Sequence, residues 1–66
     1  MFKPFTFEEV VAYAESLGYT RDCIEVKKYD SEYEVSFGHE YTEIWSWTFE
    51  NLNEKAVDYE HITWED

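Results

Sequence analysis

Two histidines, one cysteine and sixteen carboxylates are the side chains in this chain with chemistry to offer. His39, Glu40 and Glu43 resemble half of a metal-binding helix, in which two His four apart share a face and hold a cation. The second His is missing, and the flanking residues alternate with the period of a strand, so this spacing is read as giving no common face. His61 lies near Asp58 and Glu60, a second oxygen-rich grouping, and both sets are expected to be solvated surface residues. A chain with two glycines has no phosphate-cradling loop, and no Ser is flanked by glycines as in a nucleophile elbow. Cys23 sits between Asp22 and Glu25, whose charge disfavours a thiolate, so a small residue near a strand start is the expected role. No catalytic, metal-binding or cofactor-binding residue is assigned, and the chain is not read as an enzyme.

The carboxylates themselves are the positive signal. Five basic against sixteen acidic residues give a net charge of −11, beyond the magnitude of about 2–8 that solubility ordinarily calls for. Glu25, Glu32 and Glu34 are expected on the outer face of a hairpin with Asp30 at its tip. Asp58 and Glu60 lie in the C-terminal stretch, and Glu8, Glu9 and Glu15 on the outer face of a helix. Carboxylates two apart on a strand are about 6.6–6.8 Å apart. Adjacent phosphates of a nucleic-acid strand are spaced at roughly 7 Å, allowing for the helical path around a 3.4 Å axial rise. Such a surface can offer itself to a cationic groove as a row of phosphates would.

These charges need elements to position them. Tyr41 to Phe49 reads Tyr-Thr-Glu-Ile-Trp-Ser-Trp-Thr-Phe, which predicts a strand with Tyr41, Trp45, Trp47 and Phe49 on one face and Thr42, Ile44, Ser46 and Thr48 on the other. Glu43 falls on the aromatic face and is expected at its rim. The uncharged second face beside acidic residues has the composition of an interface, unless the C-terminal tail covers it. Before it, Ile24 and Val26 alternate with Cys23, Glu25 and Lys27, then Tyr33, Val35 and Phe37 with Glu32, Glu34 and Ser36, predicting a hairpin turned at Asp30-Ser31 and a second tight connection, Gly38-His39-Glu40, into the aromatic strand. Thr6 and Glu9 form a capping-box pattern, with Phe5 placed to staple onto Val10. Phe7, Val10, Val11, Ala14 and Leu17 follow at helical spacing, Tyr13 lies on the flank, and Gly18 ends the helix.

The expected fold is therefore α+β: one N-terminal helix on a three- or four-stranded antiparallel sheet, a single small domain over residues 1–66. Phe49 to Ala56 reads as a loop or one helical turn. Val57 to Trp64 either pairs as a fourth strand or serves a partner.

Sixty-six residues bury only about 60% of their unfolded surface, and a single Cys provides no internal disulfide. Three Trp, six Tyr and five Phe supply the core area instead. No apolar run reaches the 7–15 residues of a signal peptide or the ~18 of a membrane span, which predicts a soluble, cytoplasmic protein. The negative charge argues against direct binding of nucleic acid or anionic membranes and toward a basic protein surface.

In size and charge the chain resembles the small acidic inhibitors that bacteriophages and mobile elements encode against host nucleic-acid enzymes, among them anti-CRISPR and anti-restriction proteins. That resemblance implies a non-enzymatic, phage-encoded inhibitor, acting in the host cytoplasm, whose acidic surface occupies the basic site of a nucleic-acid-handling enzyme, by DNA mimicry or otherwise. Glu25, Asp30, Glu32, Glu34, Asp58 and Glu60 are the expected contacts. The alternative is a structural or regulatory interaction module that pairs with itself through a sheet edge or its tail as a homodimer, its charge serving solubility only.

Overall fold

A computed structural model describes residues 4–39 and 41–64. Helix α1 (Phe7–Ser16) is followed by a 3₁₀ turn (Arg21–Cys23) and strands β1 (Glu25–Lys28), β2 (Tyr33–His39), β3 (Glu43–Phe49) and β4 (Asp58–Thr63). The strands form an antiparallel meander in the order β1-β2-β3-β4. The C-terminal stretch thus completes a four-stranded sheet, and the fold is α+β.

Local chemistry explains where α1 begins and ends. Thr6 N–H donates to Glu9 Oε1 at 2.9 Å and Glu9 N–H donates to Thr6 Oγ1 at 3.2 Å, so the capping box satisfies two amides that lack helical partners. The Thr6 backbone bond, and then its hydroxyl, hold the Glu9 carboxyl below its ordinary pKa. At the other end Gly18 (φ 94°) follows the cap residue Leu17. Tyr19 N–H reaches the Ala14 carbonyl at 3.0 Å and Gly18 N–H the Glu15 carbonyl at 3.1 Å, the Schellman pattern that a left-handed Gly permits.

The helix buries Val10, Val11 and Ala14, and Leu17, expected with them, is 44% exposed. Val10 and Ala14 enter one core with Val35, Phe37, Trp45, Trp47, Phe49 and Ala56. Phe5, expected to staple onto Val10, stacks on Trp47 with 5.7 Å between ring centres. Tyr13 turns its edge to Phe37, Trp45 and Trp47, so the residue read as flanking lies over the centre of the sheet. The β3–β4 connection closes the end of this layer: Ala56 is buried, and its N–H donates to the Phe5 carbonyl at 2.8 Å.

Four boundaries differ from the sequence reading. Gly38 and His39 belong to β2 and not to the connection after it, because they pair with Ile44 and Glu43 of β3. Tyr41 is not in β3; it is 81% exposed with φ 68°, because the β2–β3 turn takes a left-handed residue there. Cys23 and Asp22 belong to the 3₁₀ turn, and β1 begins at Glu25. Glu32 lies between the strands, since its carbonyl accepts the Tyr29 N–H in closing the hairpin.

Gly38 is fixed by two constraints at once. Its φ of 144° is one that L side chains rarely adopt, and a Cβ there would overlap the Glu43 carbonyl oxygen across the β2–β3 pair. Gly38→Ala is expected to cost more than about 1 kcal/mol, lowering Tm by several degrees in a thermal melt monitored by circular dichroism.

Candidate functional site

Strand alternation sorts the charged side chains onto two faces. On the helix side, β3 presents Glu43, Trp45, Trp47 and Phe49, paired across to His39, Phe37, Val35 and Tyr33 on β2 and to Thr63, His61 and Tyr59 on β4. The opposite, outer face runs in transverse rows: Glu25–Ser36–Ser46–Glu60, then Lys27–Glu34–Thr48–Asp58, with Gly38–Ile44–Ile62 at one end. Because residues 58–63 pair along the edge of β3, the C-terminal stretch extends this face instead of covering it.

The outer face has a hydroxyl-bearing centre of Ser36, Ser46 and Thr48 with carboxylates to either side. Glu25 and Glu60 end one row, about 14 Å apart across three strand spacings. Glu34 and Asp58 flank Thr48 in the next, and only Lys27 opposes them in charge. Neither Glu25, Glu34, Asp58 nor Glu60 takes part in a salt bridge among the described residues, where Arg21 pairs with Glu8 at 3.8 Å and His61 Nε2 meets Glu43 Oε1 at 2.9 Å. A hollow of about 120 Å³ lies beside Gly38, lined by Cys23, Glu25, Ser36 and Ile44. Ile44 and Ile62 face each other across β3 and β4, and Trp64 just beyond is 44% exposed, giving this end of the sheet an apolar corner.

The expected contact residues are thus divided. Glu25, Glu34, Asp58 and Glu60 share the outer face, whereas Asp30 and Glu32 lie in the hairpin connection at one end of it. Asp58 and Glu60 keep the two-residue spacing of a phosphate-like row within one strand; Glu25 has Lys27 in that position and Glu34 has no strand carboxylate two residues away. Asp58 Oδ1 also accepts the Tyr59 N–H at 2.8 Å, which holds that side chain close to its own backbone.

His61 is separated from Asp58 and Glu60 by alternation and lies on the helix side. There it stacks on Trp45, 4.8 Å between ring centres and 5° from parallel, and its Nε2 meets Glu43 Oε1 at 2.9 Å. Glu43 is half-buried at the rim, with His39 opposite it on β2, so the hairpin does bring His39 and Glu43 to one face. Glu40 lies outside the described residues. No His/Cys/Asp/Glu cluster able to hold a metal is present among the described residues, and no helix there is long and apolar enough to cross a membrane.

Cys23 departs from the expectation drawn from its acidic neighbours. Its thiol pKa is lowered, because hydrogen bonds from the Thr20 hydroxyl (Oγ1 to Sγ 3.6 Å) and then its backbone outweigh burial and the Asp22 charge. The 3₁₀ turn places Thr20 three residues back against the sulfur, a contact that a strand would not make.

No protein-family model matches the chain, and neither a curated protein nor a solved structure matches it.

Removal of the Thr20 hydroxyl isolates its effect on this exposed thiol. Thr20→Val is expected to shift the pH midpoint of Cys23 alkylation by iodoacetamide upward, with the unfolding transition unchanged; an unmoved midpoint would assign the thiol's reactivity elsewhere.

Proposed function

We propose that this protein is a non-enzymatic binding inhibitor whose outer sheet face occupies the basic surface of a nucleic-acid-handling enzyme, in the manner of phage anti-CRISPR or anti-restriction proteins. The supporting observation is the open sheet face that carries Glu25, Glu34, Asp58 and Glu60 around a hydroxyl-lined centre. Carboxylates on a surface with little opposing charge attract a cationic partner over a distance and speed encounter. The Ile44, Ile62 and Trp64 corner then supplies apolar area from which a lasting contact is built. Partial mimicry of a phosphate row falls to Asp58 and Glu60, with Asp30 and Glu32 extending the charge past the hairpin end. Binding of this kind uses no cofactor, and the site of action would be the host cytoplasm.

Capture from a bacterial lysate tests the reading, at about 0.05 M and about 0.5 M salt, across which the screening length falls from roughly 14 Å to about 4 Å. Wild-type protein is expected to retain a basic nuclease, polymerase or CRISPR effector at low salt and to release most of it at high salt. The Glu34→Lys/Glu60→Lys double variant is expected to lose that capture at both. Equal capture by the variant would remove the outer face from the interaction.

A further inference from the structure

The two ends of the sheet are unlike, and the difference concerns self-association. Strand β4 carries Asp58 and Glu60 on its outer face. Trp64 N–H donates to the Thr42 carbonyl at 3.1 Å, so alternation turns the Tyr59 N–H toward the free edge, where Asp58 Oδ1 already caps it at 2.8 Å. One donor of that edge is therefore already taken. Each residue of strand β1 is exposed, and among the described residues nothing is paired to its outer side.

The backbone parity of β1 follows from the hairpin. Tyr29 N–H donates to the Glu32 carbonyl at 2.8 Å, which makes Tyr29–Glu32 a hydrogen-bonded pair. Alternation then points Lys27 and Glu25 toward β2 and turns the N–H and C=O of Val26 and Lys28 outward. The Ile24 N–H is taken by the Arg21 carbonyl at 3.1 Å, which leaves its carbonyl for the edge.

We propose that two copies of this chain pair antiparallel through β1 about a twofold axis at Val26, joining their sheets edge to edge. Val26 N–H then donates to the Val26 carbonyl of the second copy, and Lys28 N–H to the Ile24 carbonyl of the second copy, each twice by symmetry. On the outer face Glu25 stands opposite Lys27 of the second copy, and Lys27 opposite Glu25 of the second copy. On the helix side Val26, 46% exposed in the single chain, meets its own symmetry mate. Directly opposed residues of unlike charge stabilise such a pair, and those of like charge oppose it.

Register selects this arrangement. Moving the axis to Lys27 sets Lys27 against itself and Glu25 against Tyr29 of the second copy, at a residue whose own N–H and C=O point toward β2, and moving it to Lys28 sets Lys28 against itself. The local charge also permits it: residues 21–28 hold Arg21, Lys27 and Lys28 against Asp22 and Glu25, so this edge is slightly basic on a chain of net charge −11. A second copy meets less repulsion here than along β4. The inference is independent of the basic-partner reading, and the dimer would lengthen the outer face without covering it.

Sedimentation equilibrium of the full chain at about 0.5 mM and about 0.15 M salt tests it, the screening length then being about 8 Å. The expected mass is twice the 8.0 kDa of one chain. Val26→Pro removes the outward N–H without touching the β1–β2 ladder, since Pro is tolerated where an edge N–H faces solvent, and is expected to give a folded monomer. Lys27→Glu is expected to raise the dimer dissociation constant by about tenfold or more, by placing like charges across both symmetric pairs. Adding Glu25→Lys to it restores opposite charges and is expected to bring the constant back to near wild type, a rescue that a merely destabilised fold would not show. A monomeric wild type, or a dimer unaffected by Lys27→Glu, would overturn the proposal. Because this experiment contains no other protein, either result leaves the lysate test of the outer face to stand or fall separately.

Discussion

Burial of Trp47 is the constraint on which the rest of the molecule depends. Its ring lies at the centre of the helix-side face with no exposed surface, stacked by Phe5 and Phe37, met edge-on by Tyr13 and tilted against Tyr59. Those neighbours come from the segment before the helix, the helix itself, β2 and β4. A ring of this size buries on the order of 200 Å², so one residue draws four parts of a short chain together. Phe37 and His61 sandwich Trp45 in the adjacent row and extend the same layer toward the Glu43 rim.

Among the described residues one α-helix covers the sheet, and it lies over the aromatics. The other face is consequently built of residues that tolerate water: Ser36, Ser46 and Thr48 along the middle, with Glu25, Glu34, Asp58 and Glu60 toward the edges. The same alternation that buries Trp45 and Trp47 turns Ile44 and Ser46 outward. The acidic face is in this sense the geometric complement of the aromatic core.

Much of this was legible in the sequence because it rests on local rules. Thr6 and Glu9 announce the helix start, Gly18 its end, and a period of two places Trp45, Trp47 and Phe49 together. What escaped depends on pairing between distant segments. Nothing local says that His61 will face Glu43 eighteen residues earlier instead of Asp58 and Glu60 beside it; that follows only from the β3–β4 register. Tyr41 fits the strand pattern, yet the turn geometry at the end of the β2–β3 hairpin claimed it. Cys23 was read from neighbouring charge, whereas a 3₁₀ turn brings Thr20 to its sulfur. The site was legible to the same extent: Glu25 and Glu34 follow from hairpin alternation, while Asp58 and Glu60 join them on one face only once β4 has docked.

The central claim is that the sheet has one buried face and one open face, and adjacent residues Ser46 and Trp47 sample the two. Urea unfolding of Ser46→Lys and Trp47→Lys, compared with wild type, tests it most directly. A one-sided sheet predicts that Ser46→Lys changes stability by no more than about 0.5 kcal/mol, as open-surface substitutions do. Trp47→Lys should abolish cooperative unfolding, because losing a core Trp alone costs about 3–5 kcal/mol before the buried charge is counted. Comparable destabilisation by the two substitutions would contradict the account, since it would mean that the outer face is covered as well.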